Sequence, residues 1–579
     1  MLLQTDRQTG YPSIDKPWLK YYSEDAINAD LSECSIYEYL IENNYDYPND
    51  IAIEYLGRKI TYGQLFRETD KVAAAFCAIG VKPGEIVTVA LPSIPEAIYT
   101  VYALNKIGAV VNMIHPLAGA KEIENYLNEV QSKVAVLFDA TYDIIKDNVA
   151  NTKLERAVVI SAGESLPIGI KTLYFLKNKQ KVLPEGSVFI AWQSFIKMGK
   201  DYPIRKIKKN SHELALISHT GGTTGEPKGV IFSDYNINAL IYQLVCNFSY
   251  KRQGCCLSVL PPFINYSLVD SMLAMLAIGY KVVQIPDYKP DLFAQYVKKY
   301  QPQVVLSIPV FWEALLNCKN ADHLNCECFE EIYYGGEGMS ADKERLINEF
   351  IKSHGCKTEL CKGLGSTEMV AAAAQTYPYI NPVGGAGIPL VKTICKVVIP
   401  ETKQECKYGQ EGEICFAGPT LMLGYYNNTA ETERIVKIHP DMQRWLHTGD
   451  LGYIDENGVI YITGRIKRIL VTKGKDGIYT KLFPDRIEKV AYKHSAVNLC
   501  CAIGVPDEYR VNYPILFVVP VGEEHNQEQI KKDLYEMFKD ELPEYMIPEK
   551  VIFKEYLPRT ERGKVDYRAL EKIVESDKE

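Results

Sequence analysis

Glycine, threonine and lysine crowd one short stretch of the chain, His219–Gly229. Glycine lets a backbone approach phosphate oxygens closely and turn its N–H groups toward them. Threonine hydroxyls add hydrogen-bond donors or a metal contact, and a lysine adds a positive charge. The stretch follows an apolar run, Leu214–Ile217, which is typical of a buried strand. This order predicts a loop that holds polyanionic phosphate at the end of a strand.

The phosphate loop does not match the Walker A pattern, in which Gly-Lys-Ser/Thr opens a helix. Its lysine, Lys228, stands between Pro227 and Gly229, so a helix cannot begin there in the required way. Taken alone, the stretch is also compatible with a surface turn rich in glycine and threonine. The choice between these interpretations depends on the motifs further along the chain.

More motifs rich in glycine and polar residues follow downstream. They are Tyr334–Gly338, Gly365–Glu368, Trp445–Gly452, Gly464–Lys467 and Leu557–Val565. The second motif sets the Thr367 hydroxyl beside the Glu368 carboxylate, and the third carries a lone acid, Asp450. Each motif alone has a structural explanation, because an acid in a Gly-Asp-Leu-Gly turn usually caps its own backbone.

The elements that must position these motifs alternate between strands and helices from Ile51 onward. Ile86–Leu91 and Val110–Ile114 are predicted strands, and Pro95–Ile107 between them has helical periodicity. This βαβ pattern predicts parallel sheets with helices on both faces. Beyond about Glu401 the strands become shorter, and the tail from 465 to 579 is long enough for a separate small domain.

Composition excludes several classes of protein. The 579 residues carry a net charge of −8 without a domain-wide basic excess, which argues against a nucleic-acid partner. The start of the chain has no apolar leader segment, and the longest apolar stretch, Leu268–Ile278, is too short to span a bilayer. The 15 cysteines lack paired metal-ligand spacing. Reduced thiols and a cytoplasmic location are therefore expected.

Together, and in this order, the motifs resemble those of the adenylate-forming superfamily, which includes acyl-CoA synthetases, firefly-type luciferases and the adenylation domains of peptide synthetases. The resemblance runs from about Thr61 to Leu570. It implies that a carboxylate attacks the α-phosphorus of ATP, which gives an acyl-adenylate and pyrophosphate, and that a thiol then displaces AMP. Attack of one anion on another requires cations and hydrogen-bond donors around the phosphates.

The resemblance also implies an α/β fold in two main parts. A large N-terminal domain of stacked, parallel-rich α/β subdomains with a small barrel-like region spans 51–464, after an N-terminal extension over 1–50. A small, mobile α+β C-terminal domain spans 465–579 and carries the catalytic lysine, Lys564. Lys467 matches the hinge about which this domain rotates between the two half-reactions.

By the same resemblance, each motif has a role in the reaction. Lys564 bridges the substrate carboxylate and the α-phosphate, Thr367 hydrogen-bonds the α-phosphate, and Glu368 holds Mg²⁺. Asp450 accepts hydrogen bonds from the ribose, and Gly335, Gly336 and Glu337 line the adenine pocket. The full set of ATP- and AMP-binding residues is Thr220, Gly222, Thr223, Thr224, Gly225, Lys228, Gly335, Gly336, Glu337, Leu364, Gly365, Asp450, Ile462 and Arg465, with Thr224 as a second metal contact.

The substrate acid is expected to lie against Phe263, Ile264 and Tyr266. Amino-acid-activating relatives have an aspartate near the position of Ile264, which clamps the α-ammonium group. This segment offers no such acid, and an unpaired buried ammonium is costly. An α-amino acid substrate is therefore disfavoured. Phe263 and Tyr266 fit either an aromatic gate for fatty or aryl acids or two ordinary core side chains.

The chain departs from the family pattern at several positions. Gly221 replaces a serine, Leu364 replaces an aromatic residue, Arg468 follows the hinge where an acid is common, and the segment around 473–481 is longer than usual. The predicted function is an ATP- and Mg²⁺-dependent acid–thiol ligase, of the acyl-CoA synthetase type, that activates a carboxylic acid without an α-amino group and transfers the acyl group to coenzyme A. Two alternatives stay open: an adenylase that loads the phosphopantetheine of a carrier protein, and a nucleotide-binding regulatory protein on a degenerate ligase scaffold.

Overall fold

The structure is a computed structural model that describes residues 9–177, 183–205, 207–220, 227–247, 251–287, 289–318, 324–468, 470–473, 479–507, 509–522, 526–559 and 565–576. Its strands up to residue 400 are β1 Ile51–Tyr55, β2 Arg58–Thr61, β3 Ile86–Ala90, β4 Val110–Met113, β5 Val134–Phe138, β6 Arg156–Ile160, β7 Phe189–Ala191, β8 Leu214–His219, β9 Gly229–Ser233, β10 Cys255–Ser258, β11 Lys281–Gln284, β12 Val304–Ser307, β13 Glu331–Gly335, β14 Cys361–Leu364, β15 Ala374–Gln375, β16 Ile388–Pro389 and β17 Ile394–Val398. The later strands are β18 Gly412–Ala417, β19 Gly424–Tyr425, β20 Val436–Ile438, β21 Arg444–Ile454, β22 Ile460–Arg465, β23 Leu470–Lys473, β24 Tyr479–Leu482, β25 Val497–Asp507, β26 Val511–Pro520 and β27 Lys550–Phe553.

The helices alternate with these strands through most of the chain. They are α1 Pro12–Asp15, α2 Glu24–Asn28, α3 Ile36–Asn44, α4 Tyr62–Ala78, α5 Pro95–Lys106, α6 Ala120–Glu129, α7 Asp139–Ile145, α8 Ile168–Lys177, α9 Trp192–Met198, α10 Asp234–Val245, α11 Ala274–Ala277, α12 Phe293–Tyr300, α13 Pro309–Leu316, α14 Ala341–Ser353, α15 Thr429–Ile435, α16 Pro484–Ala491, α17 Gln527–Glu541 and α18 Tyr567–Ser576. Local chemistry sets their starts: Thr61 and Gln64 form a capping box before α4, and Pro95 occupies the first turn of α5. Within the described ranges, no helix has the length and hydropathy that a bilayer crossing requires.

Two large sheets confirm the predicted parallel-rich α/β architecture. The first runs in the order β19-β9-β8-β4-β3-β5-β6-β7, and the second runs β16-β15-β14-β13-β12-β10-β11-β1-β2. Neighbours from β8 to β7 in the first sheet pair in parallel, as do neighbours from β14 to β1 in the second. One apolar core joins both sheets with α4, α5 and α10. Because parallel strands are covered on both faces, their sequences are continuous apolar runs.

Two smaller units complete the described fold. An antiparallel sheet, β17-β18-β21-β20 with β22 on β21, follows the second large sheet. The C-terminal part has the β23–β24 hairpin and a β25-β26-β27 sheet. Helices α16 and α17 cover one face of that sheet and α18 covers the other, so it has apolar cores of its own.

Candidate active site

The ends of the phosphate loop are held together by the β8–β9 hairpin. The Thr220 N–H donates to the Lys228 carbonyl at 3.0 Å, and the Lys228 N–H donates to Thr220 Oγ1 at 3.1 Å. These bonds continue the antiparallel pairing of His219 with Gly229. The loop therefore leaves and re-enters the sheet at one point. The predicted ligands Gly222, Thr223, Thr224 and Gly225 lie outside the described residues.

Lys228 projects to a small cluster of polar side chains. Its ammonium forms an ion pair with Glu431 and lies 5.1 Å from the centre of the Tyr425 ring. Hydrogen bonding from Arg434, together with Lys228, lowers the pKa of Glu431 to about 2 against the opposing effect of burial. Glu431 is thus an ionised counter-ion for Lys228, and a phosphate group would compete with it for the ammonium.

Glu368 meets the same cluster from the second large sheet. It lies in a 3₁₀ turn, Thr367–Met369, after β14, and its Oε1 accepts a hydrogen bond from the Tyr425 hydroxyl at 2.7 Å. Burial and the nearby carboxylate raise the pKa of Tyr425, so that its hydroxyl stays a donor. Tyr425 therefore links the predicted metal-binding acid to the predicted phosphate-binding lysine. A carboxylate with hydroxyls and phosphate oxygens is a donor set that suits Mg²⁺.

Glycines bring the backbone close together around this turn. A Cβ at Gly365 would lie 1.7 Å from the Ala371 carbonyl oxygen, so no side chain fits there. Leu364, at the end of β14, packs against the main core, and Gly336 has a φ of +80°. Val370, directly after the Glu368 turn, has a φ of +63°, which is a strained conformation for a β-branched residue.

The sequence analysis missed Asn265, which ties three parts of the site together. Its Oδ1 accepts from Ser218 Oγ at 2.6 Å, at the end of β8, and its Nδ2 donates to the Val370 carbonyl at 2.8 Å. Asn265 lies between two predicted substrate residues, Ile264 and Tyr266. It thereby links the phosphate-loop strand, the substrate segment and the Glu368 turn. An amide between apolar residues was the available signal, because a buried amide must find partners.

The predicted substrate residues occupy different environments. Phe263 is buried and its ring lies 4.3 Å from that of His115, which the sequence analysis also overlooked. Ile264 is half-buried. The Tyr266 ring lies against Gly335, since a Cβ there would be 3.6 Å from the ring. Tyr266 thus brings the substrate segment beside the predicted adenine motif.

Asp270 is an unexpected acid one turn along from Tyr266. It lies in a π-helix, Tyr266–Leu273, a form that is frequent at functional sites. The residue is 1% exposed, and neither carboxyl oxygen has a hydrogen-bond partner among the described residues. Burial raises the pKa of this carboxyl well above its ordinary value. The neutral form of Asp270 is therefore favoured by its surroundings.

We expect Asp270→Asn to become progressively more stable than the unsubstituted chain as the pH rises. A carboxyl whose pKa is raised in the folded state adds to the free energy of unfolding, and this contribution is complete below the unfolded-state pKa of about 3.9. As the pH rises, the contribution is lost at about 1.4 kcal/mol per pH unit until the folded-state pKa is reached. Urea unfolding between pH 4 and 8 measures the difference. The control is Asp342→Asn, at an exposed carboxyl paired with Arg345. If the difference in the free energy of unfolding between the variant and the unsubstituted chain does not change with pH, the burial of Asp270 without a partner among the described residues is contradicted.

The predicted ribose-binding acid lies at the start of a paired section of β21 and β22. Asp450 Oδ1 is 2.9 Å from Arg465 Nε, and the two residues are also paired in register. The turn before Asp450 is fixed by Glu413, whose Oε1 accepts from the Gly449 N–H at 3.0 Å while its Oε2 lies 2.7 Å from His447 Nδ1. Glu413 was not predicted as a site residue. A buried acid that binds a backbone N–H orients the turn.

The end of β22 joins the large domain to the C-terminal part. The half-buried Ile462 accepts a hydrogen bond at its carbonyl from Lys489 at 3.1 Å, and the Arg465 N–H donates to Asp485 at 2.9 Å. Arg468 pairs with Asp485 and Glu488. This arginine, which departs from the family pattern, therefore anchors the chain to α16. The side chain of the predicted hinge residue, Lys467, lies outside the described residues.

The C-terminal part also reaches the predicted adenine motif. Arg559 lies 3.5 Å from Glu337 Oε1, and it forms an isolated β-bridge with Val565. Lys343, on α14, donates to the Asn498 carbonyl at 2.9 Å and so ties the two parts together a second time. Lys564 lies outside the described residues. Within the same motif, Arg559 and Val565 lie on either side of Lys564, and Arg559 contacts Glu337 at the edge of the site.

Comparison with known proteins defines the class of this chain. The AMP-binding enzyme model matches residues 40–426, and the AMP-binding enzyme C-terminal domain model matches residues 486–564. The chain therefore belongs to the AMP-binding enzyme family, as the resemblance of its motifs predicted.

Its relatives narrow the class of this chain to AMP-forming acid–CoA ligases. The chain is 27% identical to the long-chain-fatty-acid–CoA ligase of Bacillus subtilis (strain 168), over 96% of this chain and 97% of that protein. It is also 27% identical to probable 4-coumarate–CoA ligase 1 of Dictyostelium discoideum, over 86% of this chain and 87% of that protein. Both relatives use a carboxylic acid and CoA, which agrees with the predicted enzyme class.

Solved structures share the fold. The anthranilate CoA ligase AuaEII, in complex with anthranoyl-AMP, superposes with a TM-score of 0.78 at 20% identity, covering 95% of this chain and 98% of that chain. ATP-bound MatB from Rhodopseudomonas palustris superposes with a TM-score of 0.79 at 22% identity, covering 95% and 100%. These likenesses support the two-part α/β architecture.

Proposed function

We propose that this chain is an ATP- and Mg²⁺-dependent acyl-CoA synthetase whose substrate is a fatty or aryl carboxylic acid without an α-amino group. The observation that carries this proposal is the contact among Lys228, Tyr425 and Glu368. It joins a cation from the phosphate loop to an acid suited to Mg²⁺, at the meeting of the two large sheets. Lys228, together with Mg²⁺ held at Glu368, would offset the charge of the triphosphate.

In the first half-reaction, an oxygen of the substrate carboxylate forms a bond to the α-phosphorus, and the bond to pyrophosphate breaks. Lys228 and the phosphate loop would bind the departing pyrophosphate, and Thr367 would donate to the α-phosphate. Lys564 would lie between the two anions. When bound at Glu368, Mg²⁺ supplies positive charge to the phosphate oxygens. Asp450, with Arg465 beside it, would orient the ribose.

In the second half-reaction, the CoA sulfur forms a bond to the acyl carbon and AMP leaves with the former carboxylate oxygen. We assign residues 51–464 to the nucleotide-binding domain, 465–579 to a mobile C-terminal domain with its hinge at Lys467, and 1–50 to an N-terminal extension. The contacts of Arg559 with Glu337 and of Lys343 with Asn498 support an arrangement suited to the first half-reaction. Both contacts must break if the domain rotates.

The substrate class is inferred from the segment that contains Phe263, Ile264 and Tyr266. Its apolar and aromatic side chains match an acid with a fatty or aryl body. The relatives named for long-chain fatty acids and for 4-coumarate support the same range. We also propose a cytoplasmic location, because all 15 cysteines are free thiols, as expected in a reducing compartment.

ATP-dependent pyrophosphate release tests this function. Short, medium, long-chain, aryl and amino acids would each be assayed with and without CoA. We expect release with one class of fatty or aryl acid, a further increase with CoA, and a requirement for Mg²⁺. If pyrophosphate release does not increase with CoA but increases with a phosphopantetheinylated carrier protein, that protein would be the acyl acceptor. If no acid gives pyrophosphate release while ATP still binds, the ligase function is contradicted and a degenerate scaffold is favoured.

A further inference from the structure

An apolar face of helix α8 is exposed on the surface. Ile170, Leu173 and Leu176 are 50%, 68% and 77% exposed. Residues three apart on a helix share a face, so these side chains form one continuous stripe. Scattered apolar residues are normal on a protein surface, whereas contiguous exposed apolar patches are found at interaction sites.

The opposite face of α8 is anchored to the large domain. Tyr174 packs against the main core, and its ring and that of Phe175 lie so close to Gly163 that a Cβ there would be 2.7 Å from each. The Lys171 ammonium donates to the Glu164 carbonyl at 2.8 Å. The helix therefore has its own inward face, and the stripe of Ile170, Leu173 and Leu176 is not part of the core.

The sequence of α8 and of the residues directly after it is basic, unlike the chain as a whole. Between Glu164 and Glu185 the sequence contains four lysines and no acidic residue, whereas the chain has a net charge of −8. Lys177, the last residue of α8, is exposed. Lys171 is paired with Glu164, and Lys177 therefore supplies the exposed positive charge beside the apolar face. A basic side chain at the end of an exposed apolar helical face is typical of a segment that lies in the interface of a bilayer.

We infer that α8 docks this enzyme reversibly on an anionic lipid surface. Ile170, Leu173 and Leu176 enter the boundary between headgroups and acyl chains, and Lys177 contacts the anionic headgroups. A second copy of the chain is a poorer occupant, because a two-fold interface would set one lysine-rich segment against another. Docking of this kind would bring the enzyme close to acids that are dissolved in the membrane, and it does not depend on which acid is activated.

Vesicle sedimentation tests the inference with the full chain. We expect the enzyme to sediment with phosphatidylcholine–phosphatidylglycerol vesicles at least about tenfold more strongly than with phosphatidylcholine alone, and to be released by salt. The double variant Leu173→Ser/Leu176→Ser should bind vesicles about tenfold more weakly. The reason is that the apolar stripe or the positive charge alone gives only marginal attachment to a bilayer. Lys177→Glu should lose binding to anionic vesicles specifically.

Val383→Ser is the matched control, since Val383 is 71% exposed and lies outside α8. Its binding should equal that of the unsubstituted chain, and circular dichroism should show that every variant is folded. Equal vesicle binding by the double variant and the control would overturn the inference. Absence of vesicle binding by the unsubstituted chain would overturn it too. If the double variant instead abolished a dimer, the stripe would be a contact between copies of the chain.

Discussion

Replacement of Lys564 by alanine is expected to abolish acyl-adenylate formation while thioester formation from a pre-made adenylate continues. In the proposed mechanism, two anions meet at the α-phosphorus, and the ammonium of Lys564 offsets their repulsion only in that step. Loss of one preorganised charged donor at a transition state lowers a rate by at least about 10²-fold. The measurement is acid-dependent ATP–pyrophosphate exchange beside thioester formation from synthetic acyl-adenylate and CoA.

The matched control for Lys564 is Lys572→Ala, at an exposed lysine on α18 in the same part of the chain. It should leave both half-reactions unchanged. Equal loss of the two half-reactions in the Lys564 variant, with the fold intact, would contradict the assigned role. Because a uniform loss of binding would raise KM without a selective effect on one step, separate kinetics of each half-reaction distinguish the explanations.

The second large effect is expected for Glu368→Gln. This change removes the negative charge that suits Mg²⁺ and keeps the size of the side chain and its acceptor for the Tyr425 hydroxyl. We expect the Mg²⁺ concentration that gives half-maximal pyrophosphate release to rise by at least about tenfold, with a lower maximal rate, because a hard cation prefers a carboxylate to an amide.

The Tyr425→Phe variant tests the effect of the orientation of Glu368 separately from the effect of its charge. This variant keeps the carboxylate and removes its hydrogen bond of 2.7 Å. We expect a smaller shift in the Mg²⁺ titration than in Glu368→Gln, because the hydroxyl only orients the acid. An unchanged titration in Glu368→Gln would show that another group binds the metal. A larger shift in Tyr425→Phe than in Glu368→Gln would make orientation the dominant effect.

The local elements of the large domain were largely predictable. The predicted strand Ile86–Leu91 ends one residue beyond β3, and the predicted helix Pro95–Ile107 ends one residue beyond α5. Buried parallel strands are continuous apolar runs, and Gly108 after the helix marks its end, so both signals are local. The family was also predictable, because its motifs are short and keep their order along the chain.

The contacts that assemble the candidate site were not predictable from these patterns. Lys228 meets Glu431, and Glu337 meets Arg559, across more than two hundred residues of sequence in each case. Periodicity reports which face of an element is apolar, but it does not say which distant side chain will lie opposite. Asn265 shows the same limit, because one of its partners, Ser218, lies in the first large sheet and the other, Val370, follows the Glu368 turn.

The sequence by itself therefore determined the βαβ order of the large domain, the adenylate-forming motifs and the types of residue available for the reaction, all of which depend on neighbours along the chain. The roles of all the predicted site residues stay predictions, among them those of Lys564, Lys467 and the glycines and threonines of residues 222–225. Only the tertiary structure decided that Tyr425 connects Glu368 to Lys228, that Asp270 is buried without a described partner, and that Leu173 and Leu176 face outward. The physical reason is that burial and pairing depend on how elements pack, and packing is a property of the whole chain.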